Sequence, residues 1–113
     1  MEEMLKQLRE TCGAVASALI GKDGLVISSD VPDDVSLETF GIMSATIVGA
    51  SVTAATELGR DEPSRVAVET GDLRILIYNA SKRALLVVAV PNERSIDEVD
   101  ESVRDILARA KEY

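Results

Sequence analysis

Residues Ser17–Asp30 read SALIGKDGLVISSD. Two apolar runs flank Gly21-Lys22-Asp23-Gly24, and the second dissolves into Ser28-Ser29-Asp30. Asp-Gly between two apolar runs supplies the positive-φ turn chemistry of a β-hairpin. A glycine-rich turn after a strand is also a place where phosphates are held. A phosphate loop of that kind follows GxxxxGK[ST] and runs into a helix N-terminus. Here Gly24 runs into a second apolar stretch, and the lysine precedes Asp23. The segment therefore reads as a hairpin, with strands over Ala14–Ile20 and Leu25–Ser29, and not as a nucleotide loop.

Working outward from the hairpin, Glu2–Thr11 reads as a short helix with Met4, Leu5 and Leu8 on one face and Gly13 as its stop. On the other side, Val31–Val35 is a polar loop and Ser36 is an N-cap, with Thr39 at the capping-box position. The helix it opens runs to about Leu58, where Gly59 suits a left-handed C-cap and Pro63 prevents continuation. Three strands follow, over Ser64–Thr70, Leu73–Asn79 and Ala84–Val90, separated by Gly71-Asp72 and Ser81-Lys82-Arg83. In the first of them Val66, Val68 and Thr70 lie opposite Arg65, Ala67 and Glu69. The last, ALLVVAV, has no polar residue on either face, which places it centrally with both sides of the sheet covered. From Ser95 to about Lys111 an amphipathic helix carries Ile96, Val99, Val103, Ile106, Leu107 and Ala110 on one stripe, with a Ser95/Glu98 capping box. The order α-β-β-α-β-β-β-α predicts one α/β domain over residues 1–113. Its five-stranded antiparallel sheet would carry helices on both faces.

Composition narrows the function. The 113 residues suffice for one core, and 46% hydrophobic with 28% charged residues suits a folded, water-exposed chain. A net charge of −8 opposes the positive surface expected of a nucleic-acid binder or of a protein docking on anionic membranes. Aromatics are only 3%, with no Trp, which removes base-stacking platforms. His is absent, and with it the commonest general base and metal ligand at neutral pH. Cys12 stands alone, so it forms neither an intrachain disulfide nor a cysteine metal site, and it reads as a small half-buried apolar residue. Asp30, Asp33 and Asp34 cluster in one loop without the spacing or bidentate Glu of a calcium loop, and read as solvated. No catalytic residue, metal ligand or cofactor site is assigned. The acidic Met1-Glu2-Glu3 start lacks the basic and apolar regions of a signal peptide, which predicts a cytoplasmic protein.

The long helix is the odd element. From Thr39 to Thr56, TFGIMSATIVGASVTAAT, there is no charge at all, whereas a surface helix ordinarily keeps a charged face. At 100° per residue, Leu37, Phe40, Ser44, Ile47, Val48, Ser51 and Ala55 share one face, which should pack on the sheet. Thr39, Ile42, Met43, Thr46, Ala50 and Thr53 share the other. Three readings meet here: a membrane span, for which the length suffices; a tolerated uncharged face; and an interface. Six Ser/Thr and two Gly within the run weigh against the span. Small residues let two backbones approach, and a contiguous apolar patch marks a partner site. The interface is the favoured reading, with a symmetric homodimer its commonest form. The strand Ser64–Thr70, with Arg65 and Glu69 on one face, would share in it by pairing its free edge with its two-fold mate.

The chain as a whole resembles the Roadblock/dynein light chain family, as a small stand-alone prokaryotic-type member. The resemblance rests on the hairpin SALIGKDGLVISSD, the small-residue helix closing in AATELGR (Ala54–Arg60), the meander EPSRVAVETGDLRILIYNASKRALLVVAV and the final helix. It implies a profilin-like sandwich that dimerises through the central helix and the strand after it, with one continuous sheet. It also implies a non-catalytic regulatory or scaffolding role toward a Ras-like small GTPase, which docks on the central helices. Mapped onto this chain, the dimer and partner interface would comprise Thr39, Ile42, Met43, Thr46, Ala50, Thr53, Arg65 and Glu69. The alternatives are a small-molecule sensor on the same fold and a light-chain-like subunit of a larger complex.

Overall fold

The structure, a computed structural model, describes residues 1–113. Helix α1 (Glu2–Thr11) leads into the hairpin strands β1 (Ala16–Gly21) and β2 (Val26–Asp30). Helix α2 (Leu37–Glu57), strands β3 (Arg65–Glu69), β4 (Leu73–Asn79) and β5 (Ala84–Pro91), and helix α3 (Ile96–Ala110) complete the chain. The strands form one antiparallel sheet in the order β2-β1-β5-β4-β3. The element order and sheet type are those read from the sequence.

The all-apolar strand β5 is central, and every residue from Ala84 to Val90 is buried. Its side chains alternate between two cores. Leu86, Val88 and Val90 meet α1 and α3 in a core of 16 buried residues, while Leu85 and Val87 meet α2 in a core of six. Burying such a side chain is worth about 1.5–3 kcal/mol, so most of the hydrophobic stabilisation lies on the α1/α3 side. The α2 side is thinner, and this bears on what α2 can do.

The hairpin strands begin one or two residues later than expected. Asp23 Oδ1 accepts the Leu25 N–H at 3.0 Å, and Gly21 N–H donates to the Leu25 carbonyl at 2.7 Å, so Leu25 belongs to the turn. At the other boundary, Ala14 N–H donates back to Leu8 of α1 and does not join the ladder. Register shifts between Leu19, opposite Ser28, and Ile20, opposite Val26. This leaves Ile27 as the extra residue of a bulge.

Helix ends follow their sequence signals. Ser36 Oγ accepts the Thr39 N–H and Ser95 Oγ accepts the Glu98 N–H. Past α2, Gly59 adopts φ +69°, Arg60 N–H donates to Ala55 and Gly59 N–H to Thr56. That paired arrangement satisfies carbonyls the last turn would otherwise leave free. Asp30 is not part of a solvated acidic loop: it ends β2, is buried, and is gripped by both the Nε and the Nη2 of Arg9. A buried carboxylate needs such a fork, because an unpaired one is costly.

Candidate protein interface

α2 is held to the sheet along a narrow line. Only Gly41, Ser44 and Val48 are buried, with Phe40, Ala45, Ile47 and Val52 packed partly against the thin core. The helix is long and apolar enough to cross a membrane by length and composition, yet only 17% of its most apolar window is buried. Leu37, expected on the inner face, is 37% exposed. It sits beside the Val31–Val35 loop at the β2 edge, where the sheet ends beneath the first turn.

The hairpin turn holds the N-terminal half of α2. A Cβ on Gly41 would stand 2.5 Å from the Gly24 carbonyl oxygen, and one on Gly24 would stand 3.1 Å from the Ile42 Cα. Gly24 also has φ +91°. It therefore does two jobs, closing the hairpin and letting the α2 backbone lie directly on the turn. Only the first is visible in the local sequence. The distant Gly41 was the available signal, as a glycine inside a helix that an Ala would stabilise better.

The outward face of α2 is both apolar and internally satisfied. Thr39, Ile42, Met43, Thr46, Ala50 and Thr53 are all exposed. Ile42 is 42% and Met43 51% exposed, large values for aliphatic side chains. Thr46 Oγ1 donates to the Ile42 carbonyl at 2.8 Å, and Thr53 Oγ1 donates to Gly49 at 3.2 Å. Thr39 Oγ1 accepts from Ser36 Oγ at 3.1 Å. With the Thr46 and Thr53 hydroxyls donating within the helix, those two positions can lose water without stranding a donor. Leu58, just past the end of α2, is 74% exposed.

Arg65 and Glu69 point the other way. Val66 packs into the α2-side core, so its neighbours on β3 face α3. Arg65 Nη1 donates to Asp100 Oδ2 of α3 at 2.7 Å, and Tyr78 Oη donates to Asp100 Oδ1 at 2.6 Å. Burial and this carboxylate push the Tyr78 phenol up. Glu69 accepts from Arg74 Nε at 3.0 Å. Of the eight expected interface residues, six share the α2 face; the other two lie across the sheet in ion pairs. The edge of β3 is nonetheless open beyond β4.

The Roadblock/LC7 domain family matches residues 1–89. The chain belongs to the Roadblock/LC7 family. The uncharacterized Methanocaldococcus jannaschii protein MJ0310 is 32% identical over 88 residues, spanning 78% of this chain and 77% of that protein. Among solved structures, Myxococcus xanthus MglB superposes with a TM-score of 0.90 at 20% identity, over 98% of this chain and 91% of MglB. Acanthamoeba castellanii profilin IA superposes with a TM-score of 0.67 at 13% identity, over 97% of this chain and 95% of the profilin. The sandwich is accordingly profilin-like. In this Roadblock/LC7 fold α2 is the one helix of the layer opposite α1 and α3, and its outer surface carries no charge from Thr39 to Thr56.

Proposed function

We propose that this protein is a cytoplasmic, non-catalytic regulatory or scaffold module, one domain over residues 1–113. In this reading it forms a homodimer through α2 and binds a Ras-like small GTPase on the platform made by the paired helices. The observation that carries the proposal is the outward face of α2: exposed, uncharged over eighteen residues, and with its Thr46 and Thr53 hydroxyls satisfied by the helix itself. Such a face is built to be covered. Membership of the Roadblock/LC7 family supports the regulatory role and the kind of partner. Thr39, Ile42, Met43, Thr46, Ala50 and Thr53 are the contact residues. Arg65 and Glu69 contribute through the open backbone edge of β3 more than through their side chains, which are engaged with Asp100 and Arg74.

The partner assignment is tested by titrating the protein into Ras-like GTPases loaded with a GDP or a non-hydrolysable GTP analogue. Saturable binding that prefers one nucleotide state, and is lost on Met43→Glu, is the expected result. Binding that tolerates a charge at Met43 would move the GTPase off this face.

A further inference from the structure

A small cavity of about 150 Å3 lies between α2 and the sheet. Its floor is Val48 of α2 and Leu85 of β5, which are 5% and 1% exposed. Ala45, Gly49 and Val52 form the α2 wall, and none of the six outward-facing residues of that helix lines it. A Cβ on Gly49 would meet nothing within 4 Å, unlike one on Gly41. No packing inside the chain therefore calls for glycine at position 49, where Ala would favour the helix by about 1 kcal/mol. The missing side chain leaves this wall of the cavity open to water, and the thin core does not close over it.

The rim is polar and carries one charge of each sign. Lys22 comes from the β1–β2 turn, where its backbone N–H donates to the Arg83 carbonyl at 2.9 Å and roots the side chain beside the start of β5. Glu62 comes from the segment between α2 and β3, and Asn79 ends β4. Lys22 and Glu62 are both exposed, and they line one small cavity without forming an ion pair. The Glu62 carboxylate has no partner but Asn79 Nδ2, at the long distance of 3.5 Å. Opposite charges that share a rim and do not meet complement a ligand that carries both. An ammonium would be met by the side-chain oxygens of Glu62 and Asn79, and a carboxylate by Lys22, in charge-assisted hydrogen bonds roughly twice as strong as neutral ones. Between those groups the floor offers only aliphatic side chains. A dry apolar cavity of about 150 Å3 admits benzene, so the apolar body of the ligand has at most about that bulk. An isopropyl group and the carbon that bears it fall within the limit, and an indole exceeds it.

We propose that this cavity binds a free α-amino acid with a small branched apolar side chain, which rests on Val48 and Leu85 while the zwitterionic head spans Lys22 and Glu62. The proposal is independent of the α2 dimer. The probe is L-valine, titrated into the full chain by calorimetry. Three relatives of the probe each lack one part of it: isovalerate has no ammonium, isobutylamine no carboxylate, and glycine no side chain. Expected is saturable binding of L-valine with a Kd of about 1 mM or tighter, and a loss of about tenfold or more for each of the three. Glu62→Gln and Lys22→Gln, both at exposed positions, should each weaken L-valine by a similar factor. Gly49→Leu, whose side chain starts in open space, should keep the fold by thermal melting and abolish binding by filling the opening. Methyl shifts on addition of L-valine should centre on Val48, Val52 and Leu85. No saturation up to about 10 mM L-valine, equal binding of isovalerate or isobutylamine, binding that survives Gly49→Leu or both charge-removing variants, or shifts centred elsewhere would each overturn the proposal.

Discussion

At the scale of single residues, the contact between Gly24 and Gly41 gives the sharpest test of how the hairpin and α2 are joined. An added methyl on Gly41 would meet a backbone carbonyl, which cannot rotate away as a side chain can. Gly41→Ala should therefore destabilise the protein by about 1–3 kcal/mol, as overpacking does, even though Ala is the better helix former. Chemical denaturation measures it; a stabilised variant would mean the turn does not hold α2. A second residue-scale expectation concerns Asp100, which accepts from both Arg65 and Tyr78. Tyr78→Phe removes one of those bonds without opening a cavity and should cost about 1 kcal/mol. A third concerns pH. The hydrogen bond from Arg94 holds the Glu98 carboxyl below its ordinary value of 4.5. A depressed pKa contributes stability that is fully present above the unfolded value and is lost as pH falls through the folded one. Denaturation midpoints should thus fall as pH drops below about 4.5, and Glu98→Gln should flatten that part of the profile.

At the scale of elements, stability is concentrated where the amphipathic helices meet the sheet. Ile106 of α3 is buried in the larger core, and Ile106→Ala should cost about 2–5 kcal/mol by cavity formation. Ser95→Ala removes the acceptor for the Glu98 N–H and should cost about 1 kcal/mol. Both positions were legible from sequence, because a 3.6-residue stripe and a cap are local patterns. The same holds for the central placement of β5: a strand with no polar residue on either face needs a cover on both. What local patterns could not carry was anything set by contact between distant segments. Arg65 and Glu69 alternate correctly along β3, but periodicity gives the two faces of a strand without saying which one α2 covers. Their partners Asp100 and Arg74 decide that, and place both side chains on the α3 side. In sequence Asp30 falls with the acidic loop, because its neighbours are acidic, while its partner in the fold, Arg9, is 21 residues away. That Thr39, Ile42, Met43, Thr46, Ala50 and Thr53 share one exposed face of α2 was legible because a charge-free run of eighteen residues is itself a local pattern.

At the scale of the whole molecule, the two sides of the sheet are built unequally. The α1/α3 side has a core of 16 buried residues and a charged exterior; the α2 side has a core of six and an exterior without charge along most of its helix. An uncharged helix lying on a thin core is explained if a second copy covers it. A Glu placed at Ala50, which is exposed in the single chain, would then be buried without a partner and should weaken the dimer by several kcal/mol, while leaving the fold of each chain intact. The measurement that bears most directly on this is the solution mass by light scattering across a dilution series, for the natural chain and for Ala50→Glu. The account predicts a mass near twice 12.1 kDa that survives dilution, and a mass near 12.1 kDa for the variant. A natural chain that is monomeric at every concentration, or a variant that stays dimeric, would contradict the assignment of α2 as the interface.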